Sequence, residues 1–457
     1  MPVQTDGVRP SLPYDNAVTL NAEKCEGCTT CMRHCPTEAI RVRRGRARII
    51  KERCIDCGNC IRVCPYKAKR SVVDSFDKIK DFEYTIALPA PSLYGQFHNL
   101  DNINIILQGL LDIGFDDVFE VAAAAELVSA YTKEKMATQE KSPKLTISSA
   151  CPAVVRLIRA SYPSLIENLA HHIAPVELAA IIARAETAEK TGLSPSSIGI
   201  FFISPCPAKA SANRFPLFID KPVVDGTFSL SDIYKRLLPV MKNRKDLPQL
   251  NQAGLIGVGW AKSGGEAMSI YTQTNLAVDG IENVIKILDD VENDALPDIS
   301  YLELSACTQG CVGGCLNVEN PYVSKNRIMN LMKNLPIGRN KFFEKYKNRV
   351  EATKEIVHVN VLEIDDDYGK AIEKYTKIEE LYKLLPGLDC GSCGTPSCRA
   401  LAEDVILGFT TEDDCIFRMR ERMQYLSGST DADSYLPPPF RKTDDKDSSD
   451  YDIFQNV

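Results

Sequence analysis

Residues 299–315 read ISYLELSACTQGCVGGC, a β-prone run that gives way at Cys307 to a loop carrying Cys311, Gly313, Gly314 and Cys315. The same arrangement recurs at 144–152, KLTISSACP, and at 198–207, IGIFFISPCP. Each is a short apolar run of the kind buried inside a parallel sheet, and each meets a cysteine with proline or glycine close behind it. A single cysteine in such a place is most often a small buried hydrophobe. In open α/β sheets, however, the crevice outside the carboxyl ends of the strands is where sites form.

Around these segments, residues 80–365 alternate strand-like runs (YTIALPA at 84–90, GFDDVFEV at 114–121) with amphipathic helices such as PVELAAIIARAETAEKTG at 175–192. That alternation predicts an α/β domain with largely parallel sheets, in two lobes enclosing a buried site. The charged segments NRIMNLMKNLP (326–336) and KFFEKYKNRVEATKEI (341–356) read as solvated helical faces.

The chain has 17 cysteines in 457 residues: eight between Cys25 and Cys64, five between Cys151 and Cys315, and four between Cys390 and Cys415. The first group is Cys25-x2-Cys28-x2-Cys31-x3-Cys35-Pro36 followed by Cys54-x2-Cys57-x2-Cys60-x3-Cys64-Pro65. Thiolates at this spacing wrap three corners of a [4Fe–4S] cube, and the fourth cysteine of each run serves the other cube. Cys25, Cys28, Cys31 and Cys64 are thus expected to hold one cluster, and Cys54, Cys57, Cys60 and Cys35 a second. A pair of zinc knuckles is the alternative, although zinc sites rarely use this run. Between the runs, VRRGRARIIKER (42–53) reads as a hairpin around Gly45. Residues 20–70 resemble a bacterial-type two-[4Fe–4S] ferredoxin of α+β type.

The last group, Cys390-x2-Cys393-x4-Cys398-x16-Cys415, lies in LDCGSCGTPSCRALAEDVILG (388–408) and beyond it. Gly391, Gly394 and Pro396 suit a tight loop, and the segment after Cys398 has helical periodicity. A small helical and loop domain with one [4Fe–4S] cluster is expected. Zinc stays open, because four thiolates alone do not separate the two metals.

Composition narrows the function classes. A formal charge of −7, from 54 basic and 61 acidic side chains, argues against nucleic acid as a partner. No apolar run reaches the roughly 18 residues of a membrane span, and the start, MPVQTDGVRPSLPYDN, lacks the pattern of a signal peptide. A cytoplasmic location is expected, where abundant cysteine means metal or redox work rather than disulfides. Gly254–Gly265 is glycine-rich, but no Gly-Lys-Ser/Thr follows, which excludes a P-loop.

Taken together, the three cysteine groups and the loops of the middle region resemble the [FeFe]-hydrogenases over roughly residues 20–425. What that resemblance implies is an H-cluster: a [4Fe–4S] cube held by Cys151, Cys206 and Cys307 and joined through Cys311 to a di-iron unit bearing CO, cyanide and a bridging dithiolate. Counting this cube, four [4Fe–4S] sites account for 16 of the cysteines. Lys209 matches the family's lysine at one cyanide. Ala90-Pro91-Ser92 resembles the loop at the other, and Trp260 takes the place of an aromatic residue near the distal iron. The bland readings are a surface lysine for Lys209, a helix cap for Ser92 and a core residue for Trp260.

The sequence departs from the family at the proton relay. Ala150 stands where the family has a proton-carrying cysteine. Ala170 falls at its relay serine, and Thr132 and Lys135 fall near its relay glutamates. Ser204 and Ser305 replace cluster-contacting methionines, and Cys315 interrupts the third loop's glycine run. A methyl group cannot carry a proton, and each lost transfer step costs on the order of a hundredfold. Candidate substitutes are Glu303, Cys315, His171, His172 or ordered water. This pattern, with the extra C-terminal cluster domain, resembles the sensory [FeFe]-hydrogenases and implies slow, reversible H2 oxidation with electrons relayed through the cubes. A non-catalytic hydrogenase-like iron–sulfur protein, serving cluster assembly or redox relay without the di-iron unit, is the alternative. A fast metabolic enzyme is disfavoured by Ala150. Implied partners are a redox protein such as ferredoxin, maturation proteins for the di-iron unit, and a signalling partner; a homodimer is left open.

The expected organisation is an N-terminal extension draped over the ferredoxin module (1–20), that module (21–75), the H-cluster domain (76–370), the C-terminal cluster domain (371–425) and an acidic, disordered or surface-lying tail (426–457).

Overall fold

The computed structural model describes residues 15–138, 145–241, 247–270, 274–296, 298–338, 341–361 and 364–427. Residues 1–14 of the expected extension and nearly all of the acidic tail lie outside the described residues. Along the chain the strands are β1 (Val18–Leu20), β2 (Ile40–Arg43), β3 (Arg46–Ile49), β4 (Lys69–Ser71), β5 (Tyr84–Pro89), β6 (Asp117–Val118), β7 (Thr146–Ile147), β8 (Ile198–Ser204), β9 (Gly226–Ser229), β10 (Asn275–Asp279) and β11 (Tyr301–Ser305). None of the described helices is long and apolar enough to cross a membrane.

The chain divides into two compact units. The first holds Met1–Glu26, His34–Ala39 and Ile49–Val361; the second holds Gly27–Arg33, Ile40–Arg48 and Leu362–Val457. The ferredoxin-like segment therefore does not stand as a unit of its own.

In the first unit, β1 pairs antiparallel with β4. The expectation of a draped extension fails for residues 18–20, which join the ferredoxin-like sheet because the Ala17 and Val18 amides are held by the Asp56 carboxylate at 3.1 and 2.9 Å. The α/β region forms the two expected parallel sheets. One has the order β6-β5-β8-β9 and the other β10-β11-β7. Every residue of β8 is buried, as a central strand covered on both faces requires. Phe201 of β8 stacks on Phe228 of β9 with ring centroids 5.2 Å apart. Gly226 beside it is obligatory, since a Cβ there would come within 2.7 Å of the Phe201 ring.

Two expected elements are shorter than their sequence patterns. GFDDVFEV contributes only β6 before the helix Val121–Thr138 begins. In KFFEKYKNRVEATKEI only Phe343–Tyr346 is α-helical, followed by a single 3-10 turn at Lys347–Arg349. There Val350 is buried and its carbonyl accepts the Ile173 amide at 2.9 Å, which draws the chain out of the helix. The NRIMNLMKNLP segment lies largely in the helix Pro321–Met332, whose Ser324, Ile328 and Leu331 are buried, so one face is packed rather than solvated.

In the second unit β2 and β3 form the predicted hairpin, with Arg44 and Gly45 at φ of +51° and +70°. The helix Cys398–Ile406 follows the C-terminal cysteine turn, as its periodicity predicts. It packs with the helix Tyr368–Leu384 through Ile378, Leu381 and Leu401.

Candidate active-site cavity and cysteine loops

The first unit brings its cysteine loops to the carboxyl ends of both sheets. After β7, Cys151 precedes the helix Pro152–Ser161. After β8, Cys206 precedes the helix Pro207–Arg214, which carries Lys209. After β11 comes Cys307, then a 3-10 turn, Gly310–Gly313, that holds Cys311. β5 ends beside β8 with Pro89 opposite Ile203, so the Ala90-Pro91-Ser92 turn emerges at the same edge as the Cys206 loop.

The third loop is fixed by close approach. Gln309 and Gly310 both have left-handed backbone, at φ of +65° and +83°. A Cβ on Gly310 would lie 2.5 Å from the Ser263 amide nitrogen, and one on Gly314 2.4 Å from the Pro205 carbonyl oxygen. Backbone held in this way at a non-glycine residue such as Gln309 is sustained only by surrounding contacts. Here the Gln309 amide donates to Asp279 at 3.0 Å, and Lys325 donates to its side-chain oxygen at 2.6 Å.

Where these ends converge lies a cavity of about 80 Å³. Its wall includes Pro91, Ser92, Ala150, Cys151, Lys209, Trp260, Glu303, Ser305 and Cys311, all singled out from the sequence, together with Glu177 and Glu266. Lys209 is no surface lysine. Its ammonium lies 3.3 Å from the Cys311 sulfur. Burial works to lower its pKa, but the charges of Cys311, Cys206 and Cys151 and the hydrogen bond to Cys311 outweigh that and raise it. Ser92 is fully buried and is not a cap, since Ala90 holds the N-cap position of its turn; its hydroxyl is a buried oxygen with no hydrogen-bond partner among the described residues. The Trp260 indole donates to Ser129 Oγ at 2.9 Å.

The thiols are electrostatically coupled. Burial pushes Cys206 up to about 12 and Cys307 up to about 11, each further raised by its cysteine neighbours. Groups so reluctant to ionise alone release protons when a metal takes them, which ties occupancy to pH. Among the described residues no three Cys, His, Asp or Glu side chains meet at the distances of a single ion; thiolates on a cube stand further apart.

Glu266 is the functional candidate that the sequence did not disclose. Ser148 Oγ and Tyr301 OH donate to its two oxygens at 2.6 and 2.7 Å. Burial and then the charge of Glu303 hold its pKa well above the usual carboxylate range. Glu303 is also raised by burial, against the Ala267 and Gly264 amides that donate to it at 2.8 and 2.9 Å. The other candidate carriers are not in the cavity wall. Cys315 sits instead beside the second cysteine run, where a Cβ on Gly58 would come within 2.4 Å of its sulfur. His171 is exposed; His172 is buried, with burial holding its pKa down at about 4. Thr132, Lys135 and Ala170 also lie outside the wall, and Ser204 turns away to the Cys206 carbonyl at 2.9 Å.

The second cysteine run faces this site. Cys57 is half-buried among sulfurs; desolvation raises its pKa first, and Cys35, Cys60 and Cys307 raise it further. Arg62, between Cys60 and Cys64, donates to the Gly313 carbonyl at 2.5 Å and to the Cys307 sulfur. Of the first run, Cys28 and Cys31 fall in the second unit with Cys390, Cys393, Cys398 and Cys415. There Cys398 and Cys415 are buried in one apolar cluster that Cys390 and Cys393 flank.

Residues 83–235 match the family described as iron only hydrogenase large subunit, C-terminal domain. Residues 17–65 match the 4Fe-4S dicluster domain, and residues 385–417 match an Fe-S cluster family. The chain is a hydrogenase-like iron–sulfur protein. It is 28% identical over 210 residues to the periplasmic [Fe] hydrogenase large subunit of Nitratidesulfovibrio vulgaris, covering 42% of this chain and 50% of that one. It is 34% identical over 59 residues to an uncharacterized protein of Methanocaldococcus jannaschii, covering 13% of this chain and 26% of that one. The chain thus spans about half the length of the first curated relative and about a quarter of the second. Among solved structures, HydA(deltaEFG), from work on [FeFe]-hydrogenase H-cluster assembly, aligns at TM-score 0.48 and 14% identity, covering 62% of this chain and 96% of that one. [FeFe]-hydrogenase HydA1 of Chlamydomonas reinhardtii aligns at 0.48 and 15%, covering 60% and 95%.

Proposed function

We propose that this protein is a cytoplasmic [FeFe]-hydrogenase of sensory type that interconverts H2 with protons and electrons slowly. One observation carries the reading. A half-buried lysine that donates to Cys311, and a buried serine hydroxyl with no hydrogen-bond partner among the described residues, share a cavity wall with Cys151. The unpartnered hydroxyl, and the lysine protons left over beyond the contact with Cys311, ask for acceptor groups on a ligand, and cyanides on a di-iron unit are such acceptors. The donor set therefore fits the group. Cys151, Cys206 and Cys307 would hold the cube, and Cys311 would bridge it to the di-iron unit, which supplies the centre at which H2 is split or formed.

The chain's own residues then account for a low rate. Ala150 offers the cavity no proton, whereas the acids that remain in the wall are Glu266, Glu303 and Glu177. A carboxyl kept neutral by burial can hold a proton at Glu266, with Ser148 and Tyr301 fixing its orientation. Electrons would pass through the Cys57 cluster, beside Cys307, to the other ferredoxin-type cluster and the C-terminal cluster. The reading requires maturation proteins, a redox partner of ferredoxin class and a separate signalling partner.

Infrared spectroscopy of the matured protein tests it. CO and cyanide stretches are expected. Their absence after maturation, with the cubes intact, would favour the non-catalytic reading.

A further inference from the structure

Trp260 is the only tryptophan of the chain, and its ring is held from behind the cavity wall. It follows the short helix Leu255–Gly259. That helix lies so close to the helix Val121–Thr138 that a Cβ on Gly257 would come within 2.0 Å of the Ala122 carbonyl oxygen. One on Gly265, on the far side of Trp260, would lie 1.8 Å from the Gly259 carbonyl oxygen. The backbone on both sides of the tryptophan therefore has no room to shift.

The side chain is fixed as well. Val121, Ala125 and Ser129 recur every four residues and share one face of their helix. Val121 and Ala125 line the cavity with Trp260, and Ser129 is buried one turn further on. The indole Nε1 donates to Ser129 Oγ at 2.9 Å. Ser129 Oγ lies 3.0 Å from the Ala125 carbonyl oxygen and 2.7 Å from Ser269 Oγ, which is 2.6 Å from the Glu266 carbonyl oxygen. A hydroxyl has one proton and two lone pairs. Whichever of the two serines donates to the other, Ser129 keeps a lone pair for the indole. The chain of bonds ends on the backbone of Glu266, so two residues of one cavity wall are joined behind it.

We propose that Ser129 and Ser269 are positioning residues that pin the Trp260 ring, and that the pinned ring makes the cavity selective by size among small gases. A large aromatic side chain that cannot swing aside sets a fixed wall, because packed interiors do not deform continuously. H2 passes such a wall more readily than a larger diatomic ligand such as carbon monoxide, which needs the ring to give way. The selection rests on the hydrogenase reading above; the pinning of the ring does not.

Ser129→Ala in the full-length, matured protein tests both parts. With one tryptophan in the chain, ultraviolet resonance Raman reads this indole N–H alone and needs no di-iron unit. The native band is expected at the position of a hydrogen-bonded indole and should move to that of a free one in Ser129→Ala. A native band at the free position, or the same band in both proteins, overturns the pinning. Infrared titration with added carbon monoxide reads the selection. The concentration that half-saturates the site should fall by up to about tenfold, the weight of one hydrogen bond on an equilibrium, while KM for H2 changes less. A half-saturating concentration that is unchanged, or that moves in step with KM, overturns the selection. A protein without intrinsic CO and cyanide bands overturns the hydrogenase reading and the selection with it, and the Raman band then decides the pinning by itself. Should Ser129→Ala not fold, Trp260→Phe keeps an aromatic ring without the donor; carbon monoxide should again bind more tightly, and unchanged binding overturns the selection.

Discussion

Arg156 Nη1 lies 2.9 Å from Asp56 Oδ2, with both side chains shut off from solvent. Asp56 stands between Cys54 and Cys57, and Arg156 on the helix that follows Cys151. The same carboxylate accepts Ser211 Oγ at 2.7 Å, from the helix that follows Cys206. One buried acid thus ties the second ferredoxin-type run to two of the cavity's cysteine loops. Asp56→Ala leaves a guanidinium buried without its charge partner, which typically costs about 3–5 kcal/mol. Denaturant unfolding should show this loss, with part of it recovered by adding Arg156→Met.

Ala150 lines the cavity with a methyl group, which cannot carry a proton. Ala150→Cys should raise turnover on the order of a hundredfold while leaving the infrared bands in place. An unchanged rate in fully matured protein would show that protons do not need this position.

Glu266→Gln keeps the shape and the Ser148 and Tyr301 contacts of the side chain but removes its exchangeable acid. Turnover should fall on the order of a hundredfold, with cluster content and infrared bands intact. A variant as active as the native protein would move the proton-holding role to Glu303 or Glu177.

Lys209→Met should abolish stable retention of the di-iron unit, because the charge facing Cys311 is lost. The expected signature is loss of CO and cyanide bands with the iron of the cubes retained. Full bands in this variant would show that the ammonium is not needed there.

Glu177 makes folding pH-dependent. Burial raises its pKa to about 7 against the hydrogen bond from the Ala174 amide. The folded chain therefore holds this proton where the unfolded chain, with an ordinary carboxyl near 4.5, has released it. The stabilisation is complete below that ordinary value and is lost as pH rises to about 7, by on the order of 3 kcal/mol. Glu177→Gln should flatten the melting temperature across this range; an unchanged slope would assign it to other groups.

The strand-ended cysteine loops, the hairpin and the two sheets were legible because each is a local signal: an apolar run, a turn residue, a thiol spacing. Ser92 and Lys209 stood out only by resemblance, since nothing adjacent to a lysine in sequence reveals that its ammonium faces buried sulfurs. Glu266 was hidden for a related reason. It follows a glycine turn, and its two donors, Ser148 and Tyr301, lie 118 and 35 positions away. The split of the ferredoxin-like segment was equally invisible, resting on the pairing of Arg41 with an aspartate 363 positions on. Cys315 is a candidate proton carrier by sequence, but its sulfur lies against Gly58 and outside the cavity wall, a long-range contact with no local signal.

Gly58 and Cys315 have an evolutionary corollary. With no room for even one carbon between that backbone and that sulfur, neither partner can drift independently. A chimera that imported a foreign second cysteine run with alanine here would collide with the host's third loop. A chain trimmed of its amino-terminal run would instead leave the Cys315 thiol without its cover, open to oxidants. The second cysteine run and the loop that carries Cys315 are therefore expected to be inherited as one piece.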